Sequence, residues 1–90
     1  MIIVAIRHLA KDYGQWKAVY DTFPPTAGGA KFARVNRGID NPNMVTVVAG
    51  FDSLSAAQAF LANPALKDKM AEAGVLDAPR IELYEEVEAI

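Results

Sequence analysis

The chain has 90 residues, 52% of them hydrophobic, and no cysteine. Nine Lys and Arg against eleven Asp and Glu leave a net charge of −2, which argues against a nucleic-acid or anionic-membrane binder. Without cysteine there is no disulfide framework, no thiolate nucleophile and no Cys-ligated metal. A chain this short is a single domain, 1–90, and buries only about two-thirds of the surface it exposes unfolded. Half its residues are apolar, more than so thin a core easily absorbs. The apolar run from Met1 to Ile6 is cut by Arg7. It is too short for the core of a signal peptide or for a membrane span, so a cytoplasmic protein is expected.

Residues 2–9, Ile-Ile-Val-Ala-Ile-Arg-His-Leu, are rich in β-branched side chains and predict a strand. Ile2, Val4, Ile6 and His8 fall on one face, and Ile3, Ala5, Arg7 and Leu9 on the other. Both faces are mostly apolar, so the strand is central and covered on both sides. Asp12 caps a helix, with Gln15 completing a capping-box pattern. Tyr13, Trp16, Val19, Tyr20 and Phe23 share one face of it, and Pro24-Pro25 ends it. Pro24 to Gly29 is a loop.

Residues 30–39 predict a second strand, with Ala33, Val35 and Ile39 opposite Phe32, Arg34 and Asn36. Asp40 to Asn43 is a turn, and residues 44–51 form a buried strand paired with the second in a hairpin. Ser53 or Ser55 caps the next helix, whose apolar side is Leu54, Ala57, Phe60 and Leu61. Asn63-Pro64 stops that helix and starts another, lined by Leu66, Met70 and Ala73 and closed by Gly74. Residues 80–88 predict the last strand, with Ile81, Leu83 and Val87 on one face and Glu82, Tyr84, Glu86 and Glu88 on the other.

The order β-α-β-β-α(α)-β predicts an α+β fold. It is the ferredoxin-like βαββαβ sandwich, a four-stranded antiparallel sheet with helices on one face and the second helix split at Asn63-Pro64. The second and fourth strands are its edges. Helices cover one face only, and the other keeps a large apolar patch that a second copy would bury. Three or four such side chains contribute roughly 1.5–3 kcal/mol each on burial. Lys31, Arg34 and Arg37 lie on the second strand, and Glu82, Glu85, Glu86 and Glu88 on the last. A twofold dimer can bring the basic edge near the acidic one, or the charges simply keep lone edges soluble.

The segment Arg7-His8-Leu9-Ala10-Lys11-Asp12-Tyr13-Gly14-Gln15-Trp16-Lys17 resembles the first strand and helix of small bacterial proteins in the dimeric α/β-barrel superfamily. Gly50 to Leu61 and Pro64 to Gly74 resemble it also. The superfamily includes cofactor-independent monooxygenases of the antibiotic-biosynthesis type, polyketide cyclases, muconolactone isomerases, haem-degrading enzymes and stress-induced dimers. The resemblance implies a homodimer with its two sheets face to face and one pocket per subunit, between sheet and helices. Haem-degrading members carry their histidine on a helix, whereas the single histidine here ends the first strand.

Among the side chains themselves, His8 is the candidate base, as the only one with an ordinary pKa near neutrality. Burial and the positive end of the helix after it favour the neutral imidazole that a base requires, while Asp12 opposes both. A strand-end histidine bonded to a backbone carbonyl would be structural instead. Tyr13, Trp16, Tyr20 and Phe23 either pack the core or wall a flat apolar ligand, and Tyr84 joins whichever cluster forms. Phe51 and Phe60 are further candidate wall residues.

Arg7, Arg34 and Arg37 are candidates for holding an anion, with Arg37 assigned to the substrate side. Arg7 interrupts a central strand and calls for a glutamate partner on the last strand. No phosphate loop, GxGxxG or metal-ligand spacing occurs, so neither cofactor nor metal is expected. Two functions fit. One is a cofactor-independent monooxygenase or cyclase acting on a small aromatic or polyketide-like compound with His8 as base. The other is a non-catalytic small-ligand-binding or stress-related dimer.

Overall fold

A computed structural model describes residues 1–90. The elements are β1 (Ile2–Leu9), α1 (Tyr13–Tyr20), a 3-10 turn (Pro25–Gly28), β2 (Phe32–Arg37), β3 (Met44–Phe51), α2 (Leu54–Ala62), α3 (Pro64–Glu72) and β4 (Arg80–Glu85). The strands form one antiparallel sheet in the order β2-β3-β1-β4. This is the ferredoxin-like βαββαβ arrangement, with β2 and β4 at the edges and the second helix divided at Asn63-Pro64.

The caps explain where the helices begin. Asp12 Oδ2 accepts from the Gln15 backbone N–H at 2.9 Å, and Ser53 Oγ accepts from that of Ala56 at 3.1 Å. Only half of the capping box forms, because the Gln15 side chain donates to the Glu72 carbonyl at 3.4 Å. That bond ties α1 to the end of α3. Asn63 is at once the last cap of α2 and the first of α3, its Oδ1 accepting from the Ala65 N–H at 3.0 Å. Gly74, at φ +78°, ends α3 in a Schellman turn, in which Val75 N–H donates to Met70 and Gly74 N–H to Ala71.

Several expected boundaries shorten. The first helix stops at Tyr20 and does not reach Phe23. Thr22 and Phe23 bond back three residues, to Val19 and Tyr20, since the residue before Pro24 is driven out of helical geometry. Part of the expected loop winds into the 3-10 turn. Strand β2 covers 32–37, leaving Ile39 98% exposed past its end, and β4 covers 80–85, leaving Val87 92% exposed.

The core lies between the sheet and the helices. Val4, Ile6, Val45, Val47, Ala49 and Phe51 point inward and meet Trp16, Ala57 and Phe60. Ile3, Ala5 and Leu9 of β1 alternate to the opposite face, together with Phe32, Met44 and Val48. That face has no helix over it. Gly50 lies there beneath the Phe32 ring, where a Cβ would come within 2.1 Å of Phe32 Cε2, so only glycine admits this packing. Arg7 departs from expectation. It is exposed and stands in register with Arg80, not with a glutamate, because the β1–β4 pairing places Glu82 opposite Ala5. Glu82 takes Arg80 as its ion-pair partner, at 3.3 Å.

Candidate functional site

Strand alternation sends Ile6 and His8 to the helix side, and β3 contributes Val47, which pairs in register with Ile6. Pairing between β1 and β4 ends at Arg7–Arg80, so His8 lies just beyond the reach of β4. Helix α1 lays Trp16, Val19 and Tyr20 over this end of the sheet, with Phe23 and Pro25 closing one side. Helix α3 supplies Leu66, Lys69 and Met70 across the gap, and Ala73 follows at its C-cap. The result is a cavity of about 50 Å³. Ile6, His8, Trp16, Val47, Ala73 and Pro25 are buried, and the rest of its wall is half-buried.

His8 is 5% exposed, and neither ring nitrogen has a hydrogen-bond partner in the protein. Its ring lies 5.4 Å from that of Trp16, tilted by 41°. Burial holds its pKa below the ordinary 6.5, so the neutral ring is favoured. A neutral imidazole offers one donor and one acceptor, and leaving such a group unsatisfied costs about 1–3 kcal/mol. The site is therefore chemically open. It presents a proton acceptor at the inner end of an apolar space, with no carboxylate to hold it protonated.

The aromatic stripe forms a column. Tyr13, Trp16 and Tyr20 are stacked, with ring centroids 5.9 Å and 4.9 Å apart, and the Arg37 guanidinium caps it 3.8 Å from the Tyr13 centroid. Burial pushes the Tyr20 phenol up, so it remains a donor at neutral pH.

Of the side chains singled out in the sequence, His8, Trp16, Tyr20 and Phe23 meet at this cavity. Tyr13 and Arg37 lie at the far end of the column, where Arg37 Nε also donates to the Pro42 carbonyl at 2.9 Å. Phe51 is fully buried and packs against Phe60 at 5.3 Å, in the core and away from the cavity. Tyr84 is half-exposed on β4, on the uncovered face beside Ile3. Arg7 and Arg34 share that uncovered face, and Arg34 lies 4.4 Å over the Phe32 ring.

Leu66, Lys69 and Met70 were not among the candidates. Their signal was the stripe Leu66, Met70, Ala73, with Lys69 on its border at helical spacing. No group of three His, Asp or Glu side chains gathers anywhere in the fold.

No family model matches the chain, and no curated protein matches it at significant similarity. Solved structures match it along its whole length. A protein from Deinococcus radiodurans, provisionally assigned as an antibiotic-biosynthesis monooxygenase, superposes with a TM-score of 0.78 at 20% identity, covering 100% of this chain and 96% of that one. SnoaB, a cofactor-independent oxygenase from Streptomyces nogalater, gives 0.75 at 15% identity, over 99% and 94%. A conserved protein from Methanosarcina mazei gives 0.78 at 12% identity, over 94% and 91%. This chain has their ferredoxin-like fold. At these identities the likeness concerns the path of the backbone, and the chemistry rests on the side chains.

Proposed function

We propose that each copy of this protein binds a small aromatic or polyketide-like compound in the cavity and that His8 removes a proton from it, in a cofactor-independent oxygenation or a cyclisation. The observation that carries this reading is the buried His8 ring, neutral, unpartnered and facing an apolar space. A neutral imidazole accepts the proton of an acidic C–H or phenol and becomes imidazolium. The anion left behind then meets dioxygen or an electrophilic carbon of its own chain. Trp16 and Tyr20 provide the flat walls. The shared fold with SnoaB is consistent with such chemistry.

The working unit in this reading is a homodimer. Ile3, Ala5, Leu9, Phe32, Met44 and Val48 lie on the face without a helix over it, interspersed with Arg7, Arg34 and Thr46, and in this reading a second copy of the same sheet covers it.

The second reading is a dimer that binds a small ligand without transforming it, and in either reading the cavity has to widen. About 50 Å³ is well below the roughly 150 Å³ that admits benzene in a protein core. An aromatic ring enters only when Leu66 and Met70 turn aside. One comparison separates the readings. With a confirmed substrate, His8→Ala lowers turnover by about 10²-fold while binding persists. Unchanged turnover removes His8 from the chemistry, and binding without turnover in the wild type selects the second reading.

A further inference from the structure

An anion inside an apolar cavity needs a positive partner, and the arginines do not supply one. Arg37 is committed to Tyr13 and the Pro42 carbonyl, while Arg7 and Arg34 lie on the opposite face of the sheet. Among the lining side chains, Lys69 is the only Lys or Arg. It follows Leu66 by three positions on α3, so its stem continues the apolar wall while its head reaches the rim. Its side chain is 35% exposed, and Nζ lies 3.6 Å from Glu72 Oε2, longer than a hydrogen bond. Glu72 is 62% exposed. The ammonium therefore has only a loose, solvated partner, and a ligand carboxylate can take that place.

We propose that Lys69 sets the specificity of the cavity, its ammonium holding a carboxylate on the outer edge of a flat apolar ligand whose inner edge meets His8. The ligand class is then an aromatic or polyketide-like acid carrying a second acidic group, a phenol or enol, on its inner side. This rests on the cavity as a ligand site and holds whether or not catalysis follows. Lys69 at the rim and His8 within also give the ligand one orientation, because the two polar ends of the cavity differ in charge.

Two probes of nearly equal shape test it: 4-hydroxybenzoate and 4-hydroxybenzamide. Trp16, the single tryptophan, lines the cavity and reports occupancy by fluorescence. The wild type should bind the acid about two- to fivefold more tightly than the amide, the range of a partly exposed ion pair. Lys69→Met should bind both probes equally, at the affinity of the amide, and Lys69→Arg should keep the preference. Equal affinities in the wild type, or a preference that survives Lys69→Met, overturn the role of Lys69 and leave the cavity as a ligand site. If neither probe perturbs Trp16 up to its solubility limit, the cavity reading fails and the inference falls with it.

Discussion

The two faces of the sheet are made from alternate residues of the same strands, and both carry many apolar side chains. On the helix side Val4, Ile6, Val45, Val47, Ala49 and Phe51 are all 4% exposed or less. On the other, Ile3, Ala5, Leu9, Met44 and Val48 are only partly buried by their neighbours, and Tyr84 is 50% exposed. Composition and cover both separate these faces: the uncovered one carries Arg7, Arg34, Arg80 and Glu82 among its apolar residues, and no helix lies over it. Even on the helix side the cover is uneven. Ile81 and Leu83 of β4 remain 42% and 41% exposed, although their partners in register, Ile6 and Val4, are buried. The helices roof the two central strands and stop short of the β4 edge.

Adjacent residues test the contrast most sharply. Val4→Asp places a carboxylate in the core without a partner and should abolish folding, as read by loss of cooperative urea unfolding. Ile3→Asp, one residue away on the other face, should leave a folded chain, about 1 kcal/mol less stable. Its effect should fall on assembly, weakening self-association by at least about a hundredfold in sedimentation velocity. If the wild type sediments as a single copy at micromolar concentration, the proposed dimer is wrong.

A pH dependence separates the faces next. The folded pKa of His8 lies below its unfolded value of 6.5, so between the two the unfolded chain binds a proton that the native chain does not. The native state therefore loses stability as pH falls through 6.5, and the loss levels off below the folded pKa. His8→Phe should remove that part of the slope when both chains are unfolded by urea from pH 7 to 5. An identical slope in both would mean that the ring is solvated in the native state.

The smallest expected effect concerns Arg7 and Arg80, like charges directly opposite each other on the uncovered face. Arg7→Thr in the Ile3→Asp background should raise stability by about 0.2–1 kcal/mol. The two positions are four residues apart on one strand, roughly 13 Å, and should not couple. A loss of stability would show that Arg7 has a favourable role within one copy.

Much of the fold was legible because local chemistry and burial agreed. Val4, Ile6, Val47 and Phe51 alternate as strand residues and are buried as such. Asp12, Ser53, Asn63 and Gly74 cap or close helices where their side chains or backbone freedom allow. Apart from the shortened ends of elements, the misreadings fall where the outcome depends on a partner distant in sequence. Gln15 reached across to Glu72 and left the capping box incomplete. Arg7 met Arg80 because strand register, which periodicity does not encode, slid Glu82 to Ala5. The site was legible only in part for the same reason. His8, Trp16 and Tyr20 converge because one strand and the next helix are neighbours in sequence. Leu66, Lys69 and Met70 arrive from more than forty residues away. Arg37 stacks on Tyr13 because alternation puts it on the helix-side face of β2, in register with Val45; the side it faces is legible from period two, the partner it meets is not.

Helix α3 combines two properties seldom found together. Both its ends are anchored, at Asn63-Pro64 and at Gly74, where the Lys11 N–H donates to the Gly74 carbonyl at 2.9 Å and Val75 bridges to Ala10. Between the anchors only Ala73, at the very end, is fully buried. Such a segment behaves like a fixed beam with exchangeable fittings. Leu66 and Met70 can turn, or be replaced by evolution, without moving the backbone that carries them. If the cavity takes a ligand as proposed, descendants of this scaffold can trade one guest molecule for another through a single helical row, leaving the sheet and its imidazole untouched.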